Sequence, residues 1–322
     1  MSLRVQKPGI LTTIQDLGRT GYRQFGVNPG GAMDIAAARI INILLDNDEC
    51  LATIEMHFPA PQFLFEKTAI CAIGGADFGP ELDGREIENW RPFLATKGST
   101  LKFTGKNFGH RAYLALRGGF RIEKWLGSAG TNLAAHIGGA GGRKLTAGDS
   151  IRFARQARQQ VNFYASGAAS SVLPFYSRFP TVRFIPGAEF ASVRKRSRSL
   201  LTKQNFYISN NSNRMGFRLS AEPIISSRRT EIVSSAVTFG TIQLLPDGQL
   251  IVLMADHQTT GGYPRIGHVI SRDLPLIAQL GPGDKVAFHQ IDQLEAERLA
   301  LEFERELSFF RVGCRFQALE WN

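Results

Sequence analysis

Apolar residues come in short runs along this chain, at 69–74, 101–104, 112–116, 150–153, 182–185, 206–209, 241–245, 250–254 and 285–289, with Gly, Pro, Asn and Asp standing between them. Alternating or continuous apolar runs of this length, bounded by turn residues, predict strands and a mainly β architecture. Helical spacing is confined to a few short places. At 34–45, Asp34 is placed to cap, and Ile35, Ala38, Ile41 and Leu45 share a face. At 292–309, Leu294, Leu301 and Phe303, with Leu299 and Leu307, are expected to form an apolar side. Opposite it stand Glu295, Glu297, Arg298, Glu302, Glu304 and Arg305.

An internal echo divides the chain. The pattern LxxGDxxxF begins at Leu145 and again at Leu280, and each copy follows an apolar run and a GG-aromatic turn, Gly118-Gly119-Phe120 and Gly261-Gly262-Tyr263. Repetition of the same elements in the same order points to two related β-barrels. The expected division is an N-terminal barrel domain at 1–160 and a C-terminal barrel domain with a terminal helix at 180–322. The stretch 156–180, rich in Ala, Ser and Gln, reads as the linker.

Composition narrows the chemistry. A length of 322 residues allows two domains at about 150 residues each. Three scattered cysteines, Cys50, Cys71 and Cys314, build neither a disulfide framework nor a CxxC site. No window approaches the roughly 20 apolar residues of a bilayer span, and the first residues lack a signal-peptide run, so a cytoplasmic protein without a membrane partner is expected. The net charge of +10 favours anionic partners. Its densest run, Arg194, Lys195, Arg196 and Arg198, has no interleaved aromatic rings and argues against nucleic acid. No phosphate loop, zinc helix or nucleophile elbow is present, and the six histidines lack ligand spacing, so no metal is expected.

Two polar clusters remain. In the first, an apolar strand delivers Asp256, His257, Gln258, Thr259, Thr260, Gly261 and Gly262, followed by Tyr263, Pro264 and Arg265. Such a convergent rim suits a small anionic or amide substrate: Asp256 as base or orienting carboxylate, Thr259, Thr260 and the glycine amides as donors to an oxyanion, Arg265 as partner of a carboxylate. The same residues also read as a turn whose Asp and Thr satisfy backbone groups. The second cluster holds Thr12, Thr13, Gln15, Asp16, Gly18 and Arg19, then a Gly-rich turn running into the Asp34 helix, whose amino end favours an anion. Asp34 reads equally as an ordinary cap.

The stretches PGILTTIQDLGRTGY, GVNPGGAMD, LRGGF, LGSAGTN, GGRKLTAGD, SNRMGFRLS, GTIQLLPDGQLIVLMADHQTTGGYPRIG and IAQLGPGD span nearly all of residues 3–288. In them the chain resembles the allophanate hydrolase subunit 2 family, also called biotin-dependent carboxyltransferase-like proteins. The resemblance implies a mainly β fold with two cyclophilin-like barrels and a few short helices. For a standalone member it implies the role of the C component in an ATP-dependent 5-oxoprolinase complex that opens 5-oxoproline to glutamate. The partners are then a B-type (KipI-like) protein, resembling subunit 1 of the same family, and an A-type protein. ATP is used by the complex, and no cofactor is bound covalently. The other roles implied for the family are the carboxyltransferase part of a biotin-dependent urea carboxylase, with biotin as cofactor, and a KipA-like regulator that antagonises a kinase inhibitor. On this reading Asp256, Thr259 and Thr260 are the catalytic candidates. Gln258, Gly261, Gly262, Tyr263, Arg265, Arg214 and Gln243 line the substrate, and Asp16, Arg19 and Asp34 are secondary candidates.

Overall fold

The computed structural model describes residues 2–154, 167–227 and 232–320. Two compact units are formed: one from residues 1–19, 30–174 and 304–322, the other from 20–29 and 175–303. The 156–166 part of the expected linker lies outside the described residues.

In the first unit the strands are β1 (Ser2–Lys7), β2 (Thr12–Gln15), β3 (Thr53–Met56), β4 (Gln62–Phe65), β5 (Ala69–Asp77), β6 (Pro80–Leu82), β7 (Arg85–Glu86), β8 (Phe93–Ala95), β9 (Thr100–Phe103), β10 (Phe108–Leu116) and β11 (Ser150–Arg152). They segregate into a six-stranded sheet, β11-β1-β4-β9-β6-β7, and a five-stranded sheet, β2-β3-β10-β5-β8. One core serves both: Leu3, Val5, Phe63, Phe65 and Leu101 from the first meet Ile14, Ile54, Met56, Ile73 and Leu114 from the second. Burial of such apolar surface is the main stabilising term. Helix α1 (Ile35–Leu44) is apolar on nearly every side because it is buried nearly all round, and the Asp34 carboxylate caps it by accepting from the Ala37 amide at 2.9 Å.

The second unit carries β12 (Thr181–Pro186), β13 (Phe206–Ile208), β14 (Gly216–Ser220), β15 (Ser235–Ala236), β16 (Thr241–Leu244), β17 (Leu250–Leu253), β18 (Thr260–Gly261), β19 (Arg265–Val269) and β20 (Lys285–Gln290), with α2 (Lys195–Lys203) and α3 (Leu274–Ala278). Seven of these strands close a barrel in the order β12-β19-β16-β17-β14-β13-β20. Its seam is the parallel pair β12–β20, Val182 opposite Phe288 and Phe184 opposite Gln290. Alternate residues point inward, as the period of two requires. Among them Phe184 and Phe206 meet Phe288 edge to face, with ring centroids 6.0 and 5.3 Å away. The mainly β expectation therefore holds, with a closed barrel in the second unit and a pair of sheets in the first.

The repeated LxxGDxxxF pattern is a repeated turn. Asp149 accepts from the Thr146 amide and from both Nη groups of Arg143; Asp284 accepts from the Gly281 amide and from Nε of Arg178. Each aspartate thus ties down the residue three before it and leads into a strand, β11 or β20.

The terminal helix α4 (Gln293–Glu320) runs past the expected end at Phe309, and its apolar residues do not form one side. Phe303, Leu307 and Cys314 are buried, whereas Leu294 and Leu301 are 78% and 59% exposed. At 3.6 residues per turn, 294 and 301 lie opposite 303 and 307, so the helix carries two apolar stripes where the sequence pattern predicts one. Among the described residues, no helix is long and apolar enough to cross a membrane.

Candidate functional site

The first candidate cluster is the rim of the closed barrel in the second unit. Pairing of β14 with β17 continues past the strand ends, the Met254 amide donating to Met215 O at 3.0 Å and the Asp256 amide to Arg214 O at 2.8 Å. That continuation sets Arg214 and Asp256 side by side. Their side chains close a two-pronged pair, Nε to Oδ2 at 2.8 Å and Nη2 to Oδ1 at 3.1 Å, with only 7% and 11% of each exposed. Asn28 Nδ2 donates to the Asp256 carbonyl at 3.1 Å.

Gln243 projects from β16 and is 1% exposed. Its Nε2 donates to the Tyr263 carbonyl at 3.3 Å. The glycine beside it has a steric reason, since a Cβ at Gly261 would stand 2.7 Å from that same Nε2. Tyr263 is 47% exposed, Thr260 and Gln258 are exposed and Thr259 is half-buried. Beside Gly262, Tyr263 and Pro264 opens a cleft of about 1330 Å³, walled by Ile224, Ile225, Leu244 and Pro246, in which Asp247 is the single charged lining residue among those described.

Arg265 is committed to a partner that the sequence pattern does not name. Glu189 accepts from the Arg265 amide at 2.8 Å, from Nε at 3.0 Å and from Nη2 at 2.8 Å, while Nη1 donates to the Ala236 carbonyl at 3.1 Å. The guanidinium holds the Glu189 carboxyl below the usual carboxylate range. Residues 76 positions apart leave no local trace of such a pair. Arg23 is a second residue that sequence reasoning misses: its Nη2 donates to the Val237 carbonyl, and Val237 donates its amide to Thr259 O at 3.2 Å. His257 is buried, its Nδ1–H donating to the Gln258 carbonyl at 2.5 Å; burial, followed by the Arg23 charge, pushes its imidazole pKa down.

The secondary candidates belong to the first unit and are engaged by its own backbone. Asp16 accepts from the Gly18 amide at 2.8 Å, Ser128 Oγ at 2.7 Å and the Ala129 amide at 2.6 Å. Arg19 is 2% exposed, donates from Nη2 to Gly130 O at 2.5 Å, and lies over the Trp125 ring at 5.4 Å. Gln15 Nε2 joins the same clamp by donating to Thr131 O at 3.2 Å. Asp34, apart from these, caps α1 and donates its own amide to Tyr113 Oη. The structure therefore groups Asp256 with Arg214, and Gln243 with Gly261 and Tyr263, and places Asp16 with Arg19 in one loop clamp. No group of three or more His, Cys, Asp or Glu among the described residues is arranged to hold a metal.

The second unit is thus a closed antiparallel barrel with one parallel seam, bearing a polar rim of Asp256, Gln243 and the 258–263 turn. The chain belongs to the family described as carboxyltransferase domain, subdomain A and B, whose model matches residues 25–290. It is 34% identical to the C subunit of 5-oxoprolinase from Haemophilus influenzae over 299 residues, covering 93% of this chain and 94% of that one. It is likewise 34% identical to the C subunit of 5-oxoprolinase from Escherichia coli, covering 94% and 96%. Among solved structures, the K. lactis urea amidolyase superposes on 96% of this chain with a TM-score of 0.90 at 25% identity. There the chain spans only 20% of the longer protein.

Proposed function

We propose that this chain is the C component of an ATP-dependent 5-oxoprolinase, acting with a B-type (KipI-like) and an A-type protein to open 5-oxoproline to glutamate. The observation that carries the reading is the end-to-end match to two 5-oxoprolinase C subunits, each covered to 94% or more. An unactivated lactam carbonyl is a poor electrophile. Phosphorylation of its oxygen by ATP within the complex makes the ring carbon electrophilic; one water adds there, the ring C–N bond breaks as the nitrogen takes a proton, and the acyl phosphate left behind is hydrolysed by a second water to glutamate and phosphate.

In this chain the rim offers groups for the ground and transition states. The exposed Thr260 hydroxyl and the amide of Gly262 are donors for a developing oxyanion, the Gly261 amide being taken up by the pairing of β18 with β15; Gln243 fixes the Tyr263 turn, and Asp256 serves as the orienting carboxylate held in place by Arg214. ATP is used by the assembly, with no cofactor bound covalently to this chain.

The test is glutamate release from 5-oxoproline and ATP by this chain alone, with its B-type partner, and with both partners. Turnover only in the three-component mixture supports the reading; well-folded, mutually bound proteins without turnover overturn it. The 0.90 TM-score with the urea amidolyase supports a second reading, a carboxyltransferase role with biotin as cofactor. That reading requires carboxybiotin binding and carboxyl transfer where glutamate release fails.

A further inference from the structure

We infer that Arg23 is the group that takes the carboxylate of the small anionic substrate at the barrel rim; this rests on the rim being the substrate site. Among the described residues, Arg23, Arg214 and Arg265 bring guanidinium groups to that rim, and two of the three are already engaged. Arg214 is closed on Asp256, and Arg265 is closed on Glu189. A carboxylate arriving at either would have to break a two-pronged pair that is already made, at a cost comparable with what it gains.

Arg23 differs. It makes no ion pair among the described residues, the single hydrogen bond of its guanidinium there is to a neutral carbonyl, that of Val237, and its Nε–H is buried without an acceptor. A guanidinium in that state is not spent on a charge of its own. A carboxylate seated on the accessible part of this half-buried side chain gains a charge-assisted bond with no ion pair to break first.

Position supports the assignment. Val237, which anchors Arg23, donates its amide to the Thr259 carbonyl, and its Cγ1 would lie 3.5 Å from a Cβ at Gly261. Arg23 therefore sits against the turn that carries Thr259, Thr260 and Gly261. Residues 20–29 are fixed there a second time by Asn28, whose side-chain amide reaches the Asp256 carbonyl. Burial, followed by the nearby Arg23 charge, pushes the His257 imidazole pKa down. A carboxylate on Arg23 leaves the rest of a small amide beside the turn that carries the Thr260 hydroxyl and the Gly262 amide.

The experiment measures KM and kcat for 5-oxoproline in the three-component assembly with wild-type chain, R23Q and R23K. The expected result is a KM raised about tenfold or more in R23Q with kcat changed less than about threefold, and an intermediate KM in R23K, which keeps charge but loses the fork. An active wild type with R23Q and R23K within about twofold of its KM overturns the inference and leaves the proposed function standing. If R23Q fails to fold by circular dichroism, R23K alone decides: a raised KM supports, an unchanged one overturns. If the wild-type assembly has no turnover, the functional reading falls. Thermal stabilisation of the full chain by 5-oxoproline, glutamate and malonate then decides the Arg23 inference. Stabilisation of wild type but not of R23Q supports it; equal or absent stabilisation overturns it.

Discussion

Arg214 and Asp256 show how a residue picked for chemistry is also a structural member. With so little of either side chain in water, removing one partner strands a desolvated charge, so D256A is expected to cost about 3 kcal/mol. Urea denaturation of the full chain checks this, and the double variant R214M/D256M should recover most of the loss. Loss of activity in D256A therefore does not assign a chemical role; D256N, which keeps the shape and one acceptor, is the informative variant. Gly261 makes a second expectation at this scale. In G261A the new methyl displaces the Gln243 amide, 2.7 Å away, costing about 1–3 kcal/mol and loosening the Tyr263 turn. Shortening Gln243 to Ser in the same chain should restore part of the stability, a coupling that a double-mutant cycle reads directly.

At the scale of elements, the two Asp-capped turns before β11 and β20 are the physical content of the LxxGDxxxF echo. Arg143, followed by the Thr146 amide, holds the Asp149 carboxyl down at about 2. A lowered carboxyl pKa contributes stability that is present above the ordinary value near 4 and lost as pH falls toward about 2. Hydrogen exchange of the Gly148 amide, bonded to Val5 O at 2.8 Å, should accelerate through that window, and D149N should remove the pH dependence. The strands themselves are legible because alternation and turn residues are local properties: 250–254 and 285–289 each became a barrel strand. Asp34 as a cap is legible for the same reason. What the sequence hides is pairing at a distance. Nothing near Arg265 announces Glu189, nothing near Arg23 announces Val237, and the two apolar stripes of α4 interleave in one stretch of sequence, where they pass for a single side.

For the whole molecule, two of the three histidines of the barrel unit, His257 and His268, have imidazoles pushed down chiefly by burial. A base whose folded pKa lies below its unfolded value binds its proton more readily when unfolded, so stability is complete above about 6.5 and declines as pH falls through that value. Thermal melts of the chain between about pH 8 and 5, with H257Q/H268Q as control, should show the decline in wild type and a flatter profile in the double variant. The seam β12–β20 carries a different consequence, one of time. On a ribosome, Thr181–Pro186 emerges roughly a hundred residues before the strand that pairs with its open side, and until Lys285–Gln290 follows, β12 and β13 present unpaired edges to the cell. Glu304, which clasps Arg39 through both carboxylate oxygens at 2.6 and 2.7 Å, emerges later still. Both units therefore wait for the last stretch of the chain, and a message truncated before it yields a product with open sheet edges rather than a shorter working protein.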